Sequence, residues 1–519
     1  MKENQEKSAN LTRIKHVEMR QIVKQFPGVL ANDRIDFDIH AGEVHTLLGE
    51  NGAGKSTLMK ILYGIYHQES GDIIVNGKTV KIRTPMDAIQ LGIGMVHQHF
   101  MLVPTLTVAE NIALGLQSSR KFLLDLEVVS KRIKELVKIH GLYVDPNAKI
   151  WQLSVGEQQR VEILKILYRG ASLLILDEPT AVLTPQEVEE LFHVLRSMLQ
   201  KGYSIIFISH KLHEVLSLSD RVTILRLGRV IDTLPVEQVT KKKLARLMVG
   251  REVLFQVEHP DAKIGKVALE LQNVWVKGEE NIPALRGINL KVCSGEILGI
   301  AGVSGNGQRD LAEAIAGLRK ISKGKIWIKR KEVTGWTPFR LLEFGLSYIP
   351  EERMREGTIQ NFNVEENLIL KDHIHQPYAD GIFMNFKNIA NESNRLIRNF
   401  DIRTPSRYTT LKSLSGGNIQ KLILARELSR KPDVLVAAQP TRGLDVSATE
   451  YVHRQLIEQR TKLNSATLLI SDDLDEILSL SDRIAVIYEG KIMGVVHRGE
   501  VSIEKLGMMM GGIPKEKIR

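Results

Sequence analysis

Cysteine is almost missing from this chain: Cys293 is the only one in 519 residues. That excludes an intrachain disulfide, a cysteine-rich zinc site and an iron–sulfur cluster held by this chain alone. Long apolar runs are missing too. Stretches such as Ser172–Leu176 and Leu468–Ile470 fall far short of the roughly 20 residues needed to span a bilayer. The opening, Met1 to Lys15, is polar and rich in Lys and Glu, so no secretory leader is expected and the cytoplasm is favoured. Aromatic residues make up only 5% of the chain, with no basic stripe interleaved with aromatics and no RNA-binding signature. The net charge of +10 and the pI of about 9.3 therefore read first as a solvated, lysine-rich surface. Their sharper reading is proximity to an anionic membrane face, and no nucleic-acid partner is expected.

What the chain does have is a plan written twice. Its length suits two to four domains, and 43% hydrophobic with 25% charged residues suits a soluble globular protein. Gly49-Glu50-Asn51-Gly52-Ala53-Gly54-Lys55-Ser56-Thr57 fits G-x-x-x-x-G-K-[ST] at every position. Gly302-Val303-Ser304-Gly305-Asn306-Gly307-Gln308-Arg309-Asp310 keeps the glycines but places Gln308 where the lysine belongs. Gly49 pairs with Gly302 and Gln98 with Glu351 at an offset of 253; Leu153 with Leu414 and Asp177 with Ala438 at 261; His210 with Asp472 and Gly228 with Gly490 at 262. So slow a drift means duplicated domains, with a period far too long for a solenoid.

Each copy shows alternating runs (Ile35 to Ile39; Ile288 to Val292), then an apolar strand into the glycine loop (Val44 to Leu48; Ile297 to Ala301). A helix start at Leu58–Leu62, β-rich runs at Leu173–Leu176 and Ser204–Ile208, and a helical period over Glu187–Leu199 follow. Strands alternating with helices predict an α/β fold with a mostly parallel sheet covered on both faces. Both copies close on a capped helix, Thr240 to Gly250 and Ser502 to Gly512. The polar stretch 251–265, with Pro260 and Gly265, reads as a linker between domains 1–250 and 266–519.

The loop chemistry is direct. Glycines let backbone N–H groups approach anionic oxygens, and the next helix offers its N-terminus to that charge. Gly49, Asn51, Gly52, Gly54, Lys55, Ser56 and Thr57 are thus expected to hold a triphosphate, with Lys55 on its β/γ-phosphates and Ser56 on Mg²⁺. Leu173–Leu176 is an apolar strand ending in Asp177-Glu178. Asp177 suits the metal shell, and Glu178 suits the activation of water. His210 ends the strand Ser204–Ile208, next to the one that carries Glu178, and suits sensing of the γ-phosphate. Phe26, ahead of the loop, is the expected adenine-stacking residue; Trp275 is its possible counterpart.

Leu153-Ser154-Val155-Gly156-Glu157-Gln158-Gln159-Arg160 and Leu414-Ser415-Gly416-Gly417-Asn418-Ile419-Gln420-Lys421 resemble the signature of the ATP-binding-cassette (ABC) ATPases. The resemblance covers nearly the whole chain. It implies tandem P-loop NTPase domains, each with an antiparallel β part and a helical subdomain, and ATP and Mg²⁺ as ligands. A fused pair with a degenerate second half resembles the ATPases of bacterial ribose, galactose and nucleoside importers. Val161–Lys165, Ile349–Arg353 and Ala438–Asp445 are most similar to the nucleoside branch. The family places each ATP between the P-loop of one cassette and the signature of the other. Ser415, Gly417 and Asp445 would then face the intact first loop, while Gln308, Glu351, Ala438, Gln439 and Asp472 would face Val155 and Thr184. Gln98 would join the nucleotide and metal site, and Gln98 to Leu116 would meet a permease, with Glu351 to Leu370 as counterpart. The implied partners are two transmembrane permease subunits and an external solute-binding protein or lipoprotein, at the cytoplasmic face of the cell membrane. An exporter ATPase, or a soluble tandem ABC protein acting on the ribosome or nucleic acid, stays open as an alternative.

Overall fold

The computed structural model describes residues 14–98, 100–116, 125–180, 183, 185–252, 259–260, 262–278, 282–303, 305–499 and 502–518. The chain divides into two compact units, Met1–Val253 and Leu254–Arg519. Among its described residues the first unit has strands β1 (His16–Phe26), β2 (Val29–His40), β3 (Val44–Leu48), β4 (Ser70–Val75), β5 (Lys78–Val80), β6 (Ile93–Val96), β7 (Leu173–Asp177), β8 (Ser204–Ser209), β9 (Arg221–Arg226) and β10 (Arg229–Pro235). One sheet is antiparallel, in the order β2-β1-β4-β5. The other runs β10-β9-β3-β8-β7-β6 and is parallel except at the β9–β10 edge.

The apolar runs that signalled buried strands are the centre of that second sheet. Every residue of β3, β7 and β8 is buried. Because side chains alternate along a strand, each run feeds two cores. Leu174, Leu176, Ile205 and Phe207 join one apolar cluster, and Leu173, Ile175, Ile206 and Ile208 join the other. The first of these clusters also holds a helical layer. Val129, Ile133 and Leu136 of the helix Leu126–His140 pack there with Ile112, Ile163 and Leu164, an i, i+3, i+4 stripe that buries one face.

The second unit has β11 (Val267–Lys277), β12 (Pro283–Cys293), β13 (Ile297–Ala301), β14 (Ile321–Ile328), β15 (Lys331–Glu332), β16 (Leu346–Ile349), β17 (Ala379–Asp380), β18 (Phe383–Met384), β19 (Val434–Ala438), β20 (Ala466–Ile470), β21 (Arg483–Tyr488) and β22 (Lys491–His497). Its large sheet runs β16-β19-β20-β13-β21-β22, the same succession of counterparts as in the first unit. The short hairpin β17–β18 falls where the repeat offset grows from 253 to 261.

Several boundaries differ from the sequence expectation. β2 and β12 extend well beyond the runs Ile35 to Ile39 and Ile288 to Val292. The helix after the first loop begins at Lys55 and not at Leu58, because the glycine loop itself supplies the cap. The predicted helix over Glu187–Leu199 spans Pro185–Gln200. Thr240 caps its helix through the backbone N–H of Lys243, and Gly250 closes it at φ 86°.

Phe207 is fully buried and meets Phe192 edge-on at 6.0 Å. Phe207→Ala is expected to destabilise the first unit by about 3–5 kcal/mol. Denaturant unfolding should register this, and an unchanged midpoint would contradict the two-core packing.

Candidate functional site

The glycine loop closes β3 and opens the helix Lys55–Leu62. Gly54 caps that helix at φ 100°, and a Cβ there would lie 2.3 Å from the Ala31 carbonyl oxygen. Only glycine fits. Asn32 Nδ2 donates to the Gly54 carbonyl at 3.1 Å and holds the turn. Lys55 is buried, and its Nζ donates to the carbonyls of Gly49 at 2.7 Å and Glu50 at 3.0 Å. Gly49 is buried, Asn51 and Gly52 form the exposed crest of the loop, and Thr57 is half-buried on the first helical turn.

Two carboxylates end β7 beside this loop. Ser56 Oγ donates to Asp177 Oδ1 at 3.0 Å. Burial raises the Asp177 pKa above the usual carboxylate range; the Glu178 charge adds to this, and the Ser56 hydrogen bond opposes it. Glu178 sits in the left-handed region at φ 47°. Its N–H donates to the Ile208 carbonyl of β8 at 3.1 Å. Its carboxylate is bracketed, with His210 Nδ1 2.9 Å from Oε1 and Gln98 Nε2 donating to Oε2 at 3.1 Å. Burial alone would raise the Glu178 pKa, but the His210 hydrogen bond, with the charges of His210 and Lys55, holds it below the usual range. Ser56, Asp177, Glu178, Gln98 and His210 thus lie together at the ends of two strands and the loop, within the field of the Lys55 charge. Ser56 and Asp177 offer a divalent cation two adjacent hard oxygens, the donor type Mg²⁺ prefers. The polar contact that Gln98 makes is with Glu178.

One buried network behind His210 had no signal in the sequence. Glu214 is fully buried; its carboxylate accepts from Thr180 Oγ1 at 2.6 Å and Ser209 Oγ at 2.8 Å, and pairs with Lys211 at 3.1 Å. It locks the ends of β7 and β8 together on either side of Glu178 and His210. Phe26 ends β1 half-buried, edge-on to Tyr66 at 5.3 Å, with the Lys24 ammonium 5.3 Å from its ring centre. Tyr66 is thus a second aromatic at that corner, overlooked in the sequence reading. Trp275 Nε1 donates to Asn273 Oδ1 at 2.9 Å.

In the second unit, Ser415 caps the helix Gly416–Leu428, its hydroxyl accepting from Asn418 Nδ2 at 2.9 Å. Asp445 caps the helix Val446–Lys462 by accepting from the Ala448 N–H at 2.9 Å. A Cβ on Gly417 would lie 3.2 Å from that of Ala448, so Ser415, Gly417 and Asp445 share one corner. The second loop fills itself. Gln308 Nε2 donates to the Val303 carbonyl at 2.8 Å, and its Oε1 accepts from the Asn306 N–H at 3.0 Å. Arg309, at the position of Ser56, was a departure the sequence reading passed over. It pairs with Glu313 at 2.7 Å, with Glu352 at 3.6 Å and with Glu356. Gln439 repeats the left-handed backbone of Glu178, at φ 48°, and accepts from the Asp472 N–H at 3.2 Å. Glu351 is paired with Arg442. Val155 is partly exposed, and Thr184 lies outside the described residues.

Residues 32–181 and 285–442 match the ABC transporter domain. The chain is 48% identical over 496 residues to the guanosine import ATP-binding protein NupO of Bacillus subtilis, covering 96% of this chain and 97% of that one. It is 46% identical over 532 residues to the glucose import ATP-binding protein TsgD13 of Haloferax volcanii, covering 97% and 96%. It is 45% identical over 496 residues to the nucleoside import ATP-binding protein NupA of Lactococcus lactis, covering 96% and 98%. Among solved structures, a complex of the archaeal ribosome recycling factor aABCE1 aligns with 95% of this chain and 92% of its own at a TM-score of 0.63 and 21% identity, a likeness of fold.

The raised carboxyl of Asp177 costs stability in the nucleotide-free protein only where the group is ionised. Asp177→Asn is therefore expected to raise the melting temperature at pH 8, with the gain shrinking to nothing as the pH falls below the ordinary carboxylate range. A gain that is flat with pH, or larger in acid, would contradict burial as the cause.

Proposed function

This chain belongs to the ABC transporter family of ATPases, and from that premise we propose that it is the energy-coupling subunit of an importer for nucleosides or sugars, with one composite site able to cleave ATP. Relatives named for guanosine, nucleoside and glucose import align along its full length, and their similar identities keep both solute classes in play. The observation that carries the one-site reading is how the parts sort. In the first unit Ser56 is bonded to Asp177, and Gln98 and His210 to Glu178, with the Lys55 charge acting on both carboxylates, and the intact clamp residues Ser415, Gly417 and Asp445 are in the second. The second loop has instead Gln308 folded into it and Arg309 ion-paired at the Ser56 position.

Lys55 exchanges its two carbonyl contacts for the β/γ-phosphates. Ser56 and Asp177 hold Mg²⁺, which neutralises charge on the phosphates when bound. Glu178, kept ionised by its depressed pKa, accepts a proton from the attacking water. His210, anchored through Nδ1, keeps its other ring nitrogen for the γ-phosphate. Ser415, Gly417 and Asp445 close on the triphosphate from the other cassette. Cleavage reopens the pair.

Gln98 connects this chemistry to a partner. The segment from Gln98 through Leu116 is held by Glu162, which accepts from the Met101 N–H at 2.6 Å, and by Lys165, which donates to the Met101 carbonyl at 2.9 Å. A groove of about 230 Å³ beside it is lined by Tyr63, His97, Met101, Leu114, Glu162 and Arg169. We assign it to a cytoplasmic helix of a permease, two permease subunits and an external solute receptor completing the importer. Among the described residues no helix is long and apolar enough to cross a membrane. The subunit would sit peripherally at the cytoplasmic face, held by the permease.

Glu178→Gln should lower kcat at least about 10²-fold while ATP stays bound, measured by phosphate release beside nucleotide retention. Near-normal turnover would refute the assignment. Gln439→Ala should keep most of the activity, and a collapse of kcat in folded protein would refute the one-site reading.

A further inference from the structure

The second unit carries an arginine connection between its loop 351–357 and the two segments that bear Ser415 and Asp445. The Arg353 guanidinium donates to the carbonyl of Gly416 at 3.3 Å and to the carbonyl of Arg442. Gly416 is the first residue of the helix that Ser415 caps, and Arg442 stands three residues before Asp445. Arg442 returns the contact, its own guanidinium pairing with Glu351. The loop is anchored from behind as well. Glu352 and Glu356 face Arg309, and the Gly357 carbonyl accepts from buried Arg426 at 2.8 Å. Gly443, at φ 64°, lets the chain pass Arg353, whose nitrogen lies 3.4 Å from where a Cβ would be.

The repeat makes the connection one-sided. The offset of 253 sets Phe100 opposite Arg353, and the offset of 261 sets Ala181 opposite Arg442. The first half has neither cation, and its signature is the one altered at Val155. Both arginines accompany the intact clamp.

We infer that Arg353 is a positioning residue for ATP cleavage, fixing the spacing of Ser415 and Asp445 by holding the carbonyls of Gly416 and Arg442 on one guanidinium, and joining that pair to loop 351–357. The inference rests on the reading that Ser415 and Asp445 close on ATP held by the first unit. A guanidinium presents its donors in a rigid plane, so two carbonyls on separate nitrogens are held at a set distance. A lysine is a single charge on a flexible stem and cannot bridge them in the same way. The loop belongs to the segment Glu351 to Leu370 assigned to a permease, so displacement there reaches both clamp residues through one side chain.

The test uses the purified full chain as wild type, Arg353→Ala, Arg353→Lys and Lys55→Ala. Arg353→Ala is expected to raise KM for ATP about tenfold, roughly 1.4 kcal/mol, with Arg353→Lys between it and wild type. A simple loss of folded protein would lower kcat and leave KM alone. Without nucleotide, amide exchange in 416–420 and 443–448 should quicken together in Arg353→Ala, while 173–178 stays as in wild type. Unchanged KM with unchanged exchange, or exchange altered in only one of the two segments, overturns the inference. Should Arg353→Ala fail to fold, Arg353→Lys is judged by the same two readouts. Activity surviving in Lys55→Ala overturns the one-site reading instead; Lys55→Ala inactive beside a normal Arg353→Ala overturns this inference alone.

Discussion

The site depends on one residue held in an unfavourable backbone conformation. Glu178 leaves β7 at φ 47°, a region that costs a side-chain-bearing residue about 1–3 kcal/mol and persists only where its surroundings impose it. Here they do. Its N–H is bound to the Ile208 carbonyl on β8, and the strands on either side are locked by the buried Glu214 network. The turn sends Asp177 toward Ser56 and Glu178 toward His210 and Gln98. Two adjacent carboxylates thus acquire different partners, and their pKa values move in opposite directions. One is suited to a metal shell and the other to a base.

The second unit shows that this geometry belongs to the fold and the chemistry to the side chains. Gln439 keeps the left-handed turn at φ 48° and the same tie to its neighbouring strand, through the Ile470 carbonyl at 2.7 Å. Gly307 keeps the capping conformation of Gly54, at φ 101°. What has gone is charge and oxygen: Gln308 for Lys55, Arg309 for Ser56, Ala438 for Asp177, Gln439 for Glu178. The replacements are not loose ends. Gln308 satisfies its own loop, and Arg309, still exposed, pairs with three carboxylates; the Glu313 hydrogen bond above all raises its pKa further. The second unit spends its polar groups on internal ties, of which Arg353 is one.

Much of this was legible in the sequence, for physical reasons. A glycine loop between an apolar strand and a helix has few other uses, and wholly apolar runs such as Leu173–Leu176 belong at the centre of a covered parallel sheet. Offsets drifting only from 253 to 262 marked the two halves as copies of one plan, although the strand order itself is seen only in the sheets. Side-chain direction at loops was not legible, because it follows from φ values that sequence spacing does not set. Hence the bracket of Gln98 and His210 on Glu178, the Glu214 network and the pairing of Arg309 with its carboxylates are visible only in the structure. Element ends moved for the same reason: the helix after the loop starts at Lys55 because Gly54 adopts φ 100°, which a helical period cannot reveal.

The central proposal is that ATP is cleaved in one cleft, completed by the signature of the second unit and not by that of the first. Ser154 and Ser415 both cap their signature helices, accepting from Glu157 and Asn418 N–H groups, so replacing either with Ala removes a cap of similar worth, about 1 kcal/mol. Any difference in turnover between Ser154→Ala and Ser415→Ala, measured as steady-state ATPase activity of the full chain at matched folded concentration, then reports the cleft itself. The account predicts that Ser415→Ala loses activity and Ser154→Ala retains it. Equal losses, or the reverse order, would contradict it.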